Sequence, residues 1–512
     1  MNSLKKAALW MSGLAILVKL SGFLRESVIA SQFGVSEVTD GYLLAFSFIT
    51  LVLAMIANGF NNVFLPQYVQ NRKERPEETE QNANGIMNAT VLIFIAATAV
   101  GFFLVPFLVP FIFGNMQPGT EAVAVSITQV FVAFMSMIAL NGILDSYLQG
   151  RRIFVPTQLS KLSQTLLGAV FALAFSEWLG IHSLAYGFIV GVFLGIVIQL
   201  IFLFKNGYKW SPTLRVERDY RKAFLVLLVP ALLNSVVGQV NMFVNKFFAS
   251  GTTEGAVTYL NNASLLVTIP HNLYATTVAT IIFTLLAERA SNQRQFQQTV
   301  FEGLRLSYLT LLPTSVGLFI VGQPALEFIY ERGAFTSEDT YATYLALIFY
   351  LPMIVTQGMQ YIVSKAMYAQ HKTAVVFRIS VTTIALNAFL NWLFVYPLDF
   401  GYPGLALSSS AVSFYYVSAT IFFVYKDFPP AERTRLWSMI LRGLPAVLLM
   451  ALPLFLLQQW DPFNGLYSLA QLAILVPIGG LLYIVGLRFF YREGFRQLLQ
   501  LLRIRTKGRN DS

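Results

Sequence analysis

The sequence predicts an all-α polytopic membrane protein of about fourteen transmembrane helices: two pseudo-symmetric six-helix lobes followed by two further helices. Three observations predict it. Of 512 residues, 56% are hydrophobic and only 12% charged, about half the charged share of a soluble domain. Apolar windows of about 20 residues, the length that crosses a bilayer, recur along the whole chain. The basic residues between those windows alternate between loops as positive-inside topology requires.

In chain order the windows fall near 7–31, 41–69, 85–113, 122–149, 155–176 and 183–204. A second set follows near 223–249, 256–286, 298–322, 340–369, 375–397 and 402–425, and two more lie near 436–458 and 467–487. Of the 35 Lys and Arg residues, Lys19, Arg25, Lys161, Lys246, Arg305, Lys365, Arg378 and Arg442 lie within spans. One, Arg332, lies in an odd-numbered loop, and every other one falls in an even-numbered loop or a tail. Both termini are therefore expected on the cytoplasmic side. Lys5 and Lys6 precede a long apolar run without a small-residue cleavage site, so the first segment reads as a retained helix. Ser21-Gly22 is expected to break that helix, since such pairs are common kink sites. Pro106, Pro110, Pro230, Pro270, Pro313 and Pro352 suit bent membrane helices. The segment Lys205–Lys222 carries six cations and one Trp and reads as a linker lying on the anionic leaflet. After Tyr491, Phe495, Leu498, Leu499, Leu501 and Leu502 interleave with Arg496, Arg503 and Arg505, the pattern of an interfacial amphipathic helix.

The halves repeat. At an offset of 221, Tyr147 and Gln149 match Tyr368 and Gln370, and Gly180, Leu184 and Ala185 match Gly401, Leu405 and Ala406. Phe202 and Lys205 match Phe423 and Lys426 at the same offset. Six helices per unit give both halves the same orientation, a parallel repeat with the substrate path between them. The expected divisions are 1–210 for the N-lobe, 211–426 for linker and C-lobe, and 427–512 for the last two helices with a basic tail.

Composition excludes several classes. There is no Cys, so disulfides, thiol catalysis and Cys metal sites are absent. His182, His271 and His371 have no metal-ligand spacing. The net charge of +10 is a topology signal before it is evidence for nucleic acid. No P-loop, GxSxG or HExxH occurs. The chain reads as no enzyme, with no cofactor, and any work it does must come from an ion gradient such as Na+ or from the membrane potential. One elementary charge moved across the membrane is worth about 2.3 kcal/mol per 100 mV.

The chemistry concentrates in Leu17–Asp40, where Lys19, Arg25 and Glu26 lie inside an apolar span and Asp40 just beyond. A charge near the midplane costs roughly 2.5–3.5 kcal/mol on insertion scales, so such residues tend to face a bundle interior or cavity. Two cations there point to an anionic substrate. The repeat carries Arg25 onto Lys246, which makes Lys246 a candidate third cation. The rival reading is that these cations snorkel or pair internally with Glu26 and Asp40. Asn387 and Asn391, one helical turn apart, with Asn234 and Ser408–Ser410, offer neutral oxygens for a candidate cation site. Their rival role is helix–helix hydrogen bonding.

The run SGFLRESVIASQFGVSEVTDGYLLAF resembles the first-helix signature of the MurJ (MviN) family of lipid II flippases, relatives of MATE exporters and polysaccharide flippases. FIYERGAFTSEDT, Phe328–Thr340, resembles that family's segment after helix nine, and NGFNNVFLPQY, Asn58–Tyr68, and the Pro270 helix ending in ATIIFTLLAE also fit. The resemblance implies two six-helix lobes around a cationic cavity that binds the pyrophosphate of a lipid-linked sugar. It assigns Lys19 and Arg25 to the family's first-helix cations and Asp40 to its acidic position at the start of helix two. The family's helix-two basic pair falls here on Ala54 and Met55, its acidic residue on Asn58, and its helix-eight arginine on Ser264.

The resulting expectation is a multi-pass flippase of the bacterial plasma membrane. It moves an undecaprenyl-diphosphate-linked glycan, with lipid II for peptidoglycan synthesis as first choice, by alternating access. Lys19, Arg25 and Lys246 would hold the diphosphate, with Glu26, Asp40, Asn58 and Ser264 lining or gating the cavity. Expected partners are the lipid-linked glycan, membrane lipids and cell-wall synthesis proteins, and no nucleic acid. Alternatives are a flippase for exopolysaccharide or teichoic-type precursors, a MATE-like cation-coupled drug exporter, and a membrane scaffold for cell-wall enzymes.

Overall fold

The structure is a computed structural model that describes residues 2–274, 282, 285, 286, 288, 289, 292–460 and 466–499, without the side chains of residues 2–12, Asn58 and Asn234. The described elements are all helical. In order they are α1 (Asn2–Phe33), α2 (Glu37–Gly59), a π-helical turn (Phe60–Phe64), α3 (Leu65–Glu74), α4 (Pro76–Phe113), α5 (Pro118–Ala133) and α6 (Met135–Gly150). Then come α7 (Val155–Leu179), α8 (His182–Lys205), α9 (Arg218–Ser250), α10 (Ala256–Tyr274) and α11 (Gln293–Tyr330). The last are α12 (Ser337–Ala369), α13 (Thr373–Val395), α14 (Gly401–Tyr425), α15 (Pro430–Gln459) and α16 (Ser468–Phe490).

Among the described residues eleven helices are long and apolar enough to cross a membrane, or twelve with the bent pair α5–α6 taken as one span. Helices α1 and α10 coincide with the two remaining windows of the sequence. ATIIFTLLAE, the end of the eighth window, lies mostly outside the described residues.

One local expectation is corrected. Helix α1 runs unbroken through Ser21-Gly22. Ser21 Oγ donates to Val18 O at 2.8 Å, within its own helix, and the glycine costs only about 1 kcal/mol in a helix interior. The break falls instead in the fourth span, which bends by 57° between α5 and α6 at Phe134 (φ −106°, ψ 13°). The second span also departs from regularity. Leu65 N bonds Phe60 O, the i→i−5 pattern of a π-turn, just before Pro66, which has no N–H to continue the ladder.

The chain forms two compact units: residues 1–258 with 332–336, and residues 259–331 with 337–512. In the first, α7 packs along α8 and α1, and α2 packs on α5 and α9. A buried polar network joins α6, α7 and α8. Asn141 donates to Ser160 Oγ (2.8 Å), Gln164 to Asn141 Oδ1 (3.0 Å), and Gln199 to Asp145 Oδ1 (2.5 Å). Such bonds hold membrane helices together where no hydrophobic force does. Glycines permit the approach: a Cβ on Gly195 would lie 2.2 Å from Ser160 Oγ.

In the second unit α11 packs on α12, α15 and α16, and α14 on α12 and α13. Tyr308 donates to Ile440 O (3.0 Å) and Tyr483 to Leu309 O (2.6 Å). Residues 492–499 are helical and dock on α11 through Arg305, which bonds Gln497 and lies 3.7 Å from Glu493. The amphipathic tail therefore has a protein partner over its described part; residues 500–512 are outside it. Gly180 and Gly401, matched by the repeat, both have positive φ (54° and 58°), the first just before α8 and the second at the first residue of α14.

The ERGAFT segment is not a free loop. Ala334 N donates to Ser31 O at 2.9 Å, and Phe335 is buried. Gly34 and Gly333 both have positive φ (59° and 61°). A Cβ on Gly333 would lie 2.2 Å from Ser31 O, and one on Gly34 would lie 2.5 Å from Ala334 O. Both positions therefore demand glycine for conformation and for space. Gly333→Ala and Gly34→Ala should each destabilise the protein by about 1–3 kcal/mol, read as a lowered melting temperature in detergent. Gly317→Ala, in a helix interior with nothing within 4 Å of its Cβ, should not lower it.

Candidate functional site

Four of the charged residues singled out in the sequence, Arg25, Glu26, Asp40 and Lys246, meet within the first unit. Arg25 and Glu26 follow each other on α1, and Arg25 Nη2 lies 2.5 Å from Glu26 Oε1. Adjacent helix positions do not normally face each other. The contact forms because both side chains turn to the same buried region, where they are only 16% and 7% exposed. The guanidinium lies 4.5 Å from the centroid of the Phe46 ring on α2, a cation–π geometry that stabilises a buried cation. The Arg25 stem runs beside Gly168 of α7, where an added Cβ would make an ordinary contact at 3.9 Å from Arg25 Cδ. Arg25 Nε is buried and has no hydrogen-bond partner. An unsatisfied charged donor is costly, and an anionic ligand would satisfy it.

Asp40 is 4% exposed. Its Oδ1 accepts from Thr258 N at 2.8 Å and from Thr258 Oγ1 at 2.5 Å. Thr258 lies in the first turn of α10, where backbone N–H groups lack intrahelical partners. A carboxylate from α2 thus caps a helix 218 residues away in sequence, where a negative charge also complements the helix dipole. Lys246 of α9 donates to Leu43 O at 2.7 Å and lies within electrostatic range of Asp40 and Glu26. Two half-buried cations and two buried carboxylates from α1, α2 and α9 therefore form one cluster.

Lys19 lies six residues before Arg25 and is exposed. At 100° per residue it sits roughly 120° round the helix from Arg25, so a regular α1 does not bring the two onto one face. Ala54 and Met55 are half-buried on α2. The side chains of Asn58 and Asn234 lie outside the described ones. Ser264, on α10 in the second unit, is half-buried and donates to Asn261 O at 2.9 Å. Asn387 and Asn391 share the buried face of α13. Asn387 Nδ2 approaches Ser408 Oγ of α14 at 3.4 Å, and Asn387 Oδ1 is buried with no hydrogen-bond partner. Among the described residues no group of three His, Asp or Glu side chains could hold a metal ion.

Sequence reasoning missed Phe46, Leu43 and Thr258. Phe46 is one aromatic in an apolar helix, and Leu43 acts through its carbonyl. Thr258 becomes a partner of Asp40 only through the tertiary fold.

Asn caps a helix about as well as Asp, whereas Ala does not. Asp40→Ala should therefore lower stability by about 1–2 kcal/mol and Asp40→Asn by a few tenths. Thermal unfolding of the purified variants measures it; equal losses would mean that the charge, not the cap, stabilises.

The family model described as lipid II flippase MurJ matches residues 29–501. The chain is 23% identical to the probable lipid II flippase MurJ of Buchnera aphidicola subsp. Acyrthosiphon pisum, over 96% of this chain and all of that one. It is 26% identical to the lipid II flippase MurJ of Burkholderia cenocepacia, over 79% of this chain and 81% of that one. Among solved structures it is similar to a lipid II flippase MurJ in an inward closed conformation, with TM-score 0.79 and 25% identity, covering 95% of this chain and 99% of the other. A multidrug-resistance MATE transporter in an inward-facing conformation shares the fold, with TM-score 0.68 and 14% identity over 82% of this chain and 95% of the other. The chain belongs to the MurJ family of lipid II flippases.

Proposed function

We propose that the protein translocates lipid II across the bacterial plasma membrane for peptidoglycan synthesis. The observation that carries this reading is the match to the flippase family over residues 29–501. The cluster on α1, α2 and α9 supports a specific role for it. Arg25 would take the substrate diphosphate through its unsatisfied Nε and, on exchange of its bond to Glu26, through its fork. A guanidinium can bind phosphate in bidentate fashion. Lys246 adds a point charge beside it, and Lys19 an exposed charge earlier on the same helix. Glu26 and Asp40 then act as internal anions that hold the cations in place when substrate is absent. Ser264, and Asn58 as the sequence places it, would line the path rather than bind phosphate.

Transport follows alternating access, with residues 1–210 and 211–426 as the lobes that rock and 427–512 as an appended pair of helices with a basic tail. The alternation of basic loops supports cytoplasmic termini. The buried amides of Asn387 and Asn391 beside Ser408, with Asn234 as a third candidate, would form a neutral oxygen site for a monovalent cation such as Na+. The membrane potential is the alternative energy source. Docking of cell-wall synthesis proteins on the basic loops is a further expectation of the sequence. The neutral residues at Ala54, Met55 and Ser264 favour one second reading, a flippase for exopolysaccharide or teichoic-type precursors.

In cells depleted of their own lipid II flippase, the wild type should restore growth and outer-leaflet lipid II. Arg25→Ala should restore neither although it is inserted at wild-type levels. A residue whose truncation strips a buried phosphate contact costs on the order of 2–5 kcal/mol, enough to abolish complementation. Wild type that inserts yet restores nothing would shift the substrate to another lipid-linked glycan.

A further inference from the structure

The basic linker between α8 and α9 is a fixed strap, and it roofs a cavity. Three asparagines near the start of α4 hold it. Asn84 Oδ1 accepts from Tyr208 Oη at 2.6 Å. Asn88 Nδ2 donates to Ser211 O (2.8 Å) and Thr213 O (2.9 Å), while Asn88 Oδ1 accepts from Trp210 Nε1 at 3.1 Å. Asn82 Oδ1 accepts from Glu217 N at 2.8 Å. Gly85 lets the strap run against α4, because a Cβ there would lie 2.7 Å from Arg215 O.

Beneath the strap lies a cavity of about 600 Å³, lined by apolar side chains of α4, α6 and α8, among them Leu92, Leu140 and Leu200, and roofed by Trp210 and Leu214. That volume is in the range of small-molecule sites, and two of its apolar lining residues, Leu92 and Phe204, are exposed at the surface. The strap from Lys205 to Glu217 carries Lys205, Lys209 and Arg215, and its only acidic residue is the last. Lys205 and Lys209 are exposed and flank the lining residues Phe204, Tyr208 and Trp210 in sequence. The Trp210 ring is 56% exposed while its N–H is bonded, the posture of an interfacial tryptophan.

We propose that this cavity is a binding site for one anionic glycerophospholipid, with an acyl chain under the strap and the headgroup phosphate at Lys205 and Lys209. The ordinary alternative is a positive loop touching lipid without selectivity. Against it stand the roofed cavity and a strap held rigid by side-chain bonds to three asparagines. The site lies wholly in the first unit and uses none of the charged cluster on α1, α2 and α9.

Native mass spectrometry of the full chain tests it, after incubation with phosphatidylglycerol or phosphatidylcholine of identical acyl chains. Wild type should retain phosphatidylglycerol preferentially. Lys205→Gln and Lys209→Gln should each lower that retention roughly five-fold, the contribution of one basic residue near an anionic headgroup. Leu200→Trp, which fills the cavity, should reduce retention of both lipids, and Leu92→Trp repeats the test from α4. Equal retention of the two lipids by wild type, or full retention after Leu200→Trp and Leu92→Trp, would overturn the proposal. Undecaprenyl phosphate competing phosphatidylglycerol off wild type but not off Leu200→Trp would assign the cavity to the prenyl carrier and overturn it equally.

Discussion

The carboxylate of Asp40 ties together stretches of chain that the sequence keeps far apart. It sits in the first turn of α2, accepts two bonds from Thr258 at the start of α10, and lies within electrostatic reach of Lys246 on α9. Lys246 in turn bonds the carbonyl of Leu43, one turn along α2. A buried carboxylate is tolerated in such a place only when donors and countercharge surround it. The same requirement governs Arg25, which is held by Glu26 and the face of Phe46. The cluster is therefore nearly self-neutral at rest, yet it keeps one buried guanidinium donor unsatisfied. A site of that kind does not demand an anion for its stability but can accept one by exchanging partners.

Much of the fold was legible because membrane insertion reads the same quantities as a hydropathy window. The segments near 183–204 and 402–425 became α8 and α14 with ends displaced by a residue or so. The bends were not legible. Ser21-Gly22 carries the local mark of a kink, but α1 passes through it, since Ser21 satisfies its hydroxyl within the same helix. The 57° bend near Phe134 carries no such mark, with neither Gly nor Pro at the break. Phe131 instead packs edge-on against both Phe46 and Phe188, so tertiary packing accompanies the bend where the local sequence is silent.

The candidate site divides similarly. Arg25, Glu26, Asp40 and Lys246 stood out because charges are rare inside apolar spans, and they form one cluster in which Glu26 and Asp40 are buried and Arg25 and Lys246 half-buried. The spacing of Lys19 and Arg25 turns them apart on a regular helix. The glycines of the ERGAFT segment and of Gln32-Phe33-Gly34 explain each other. Gly34 leaves the clearance that the Ala334 carbonyl occupies, and Gly333 the clearance that the Ser31 carbonyl occupies. What reads in sequence as a loop motif is one half of a docked pair.

The account rests on half-buried cations of α1 and α9 recognising a diphosphate, and direct binding tests that most closely. The measurement is the affinity of purified protein for lipid II and for the corresponding monophosphate lipid, in the wild type and in Arg25→Gln and Lys246→Gln. The account predicts tighter binding of the diphosphate by wild type, a preference that Arg25→Gln largely removes and Lys246→Gln weakens. Unchanged preference in both variants, with the fold intact, would contradict it.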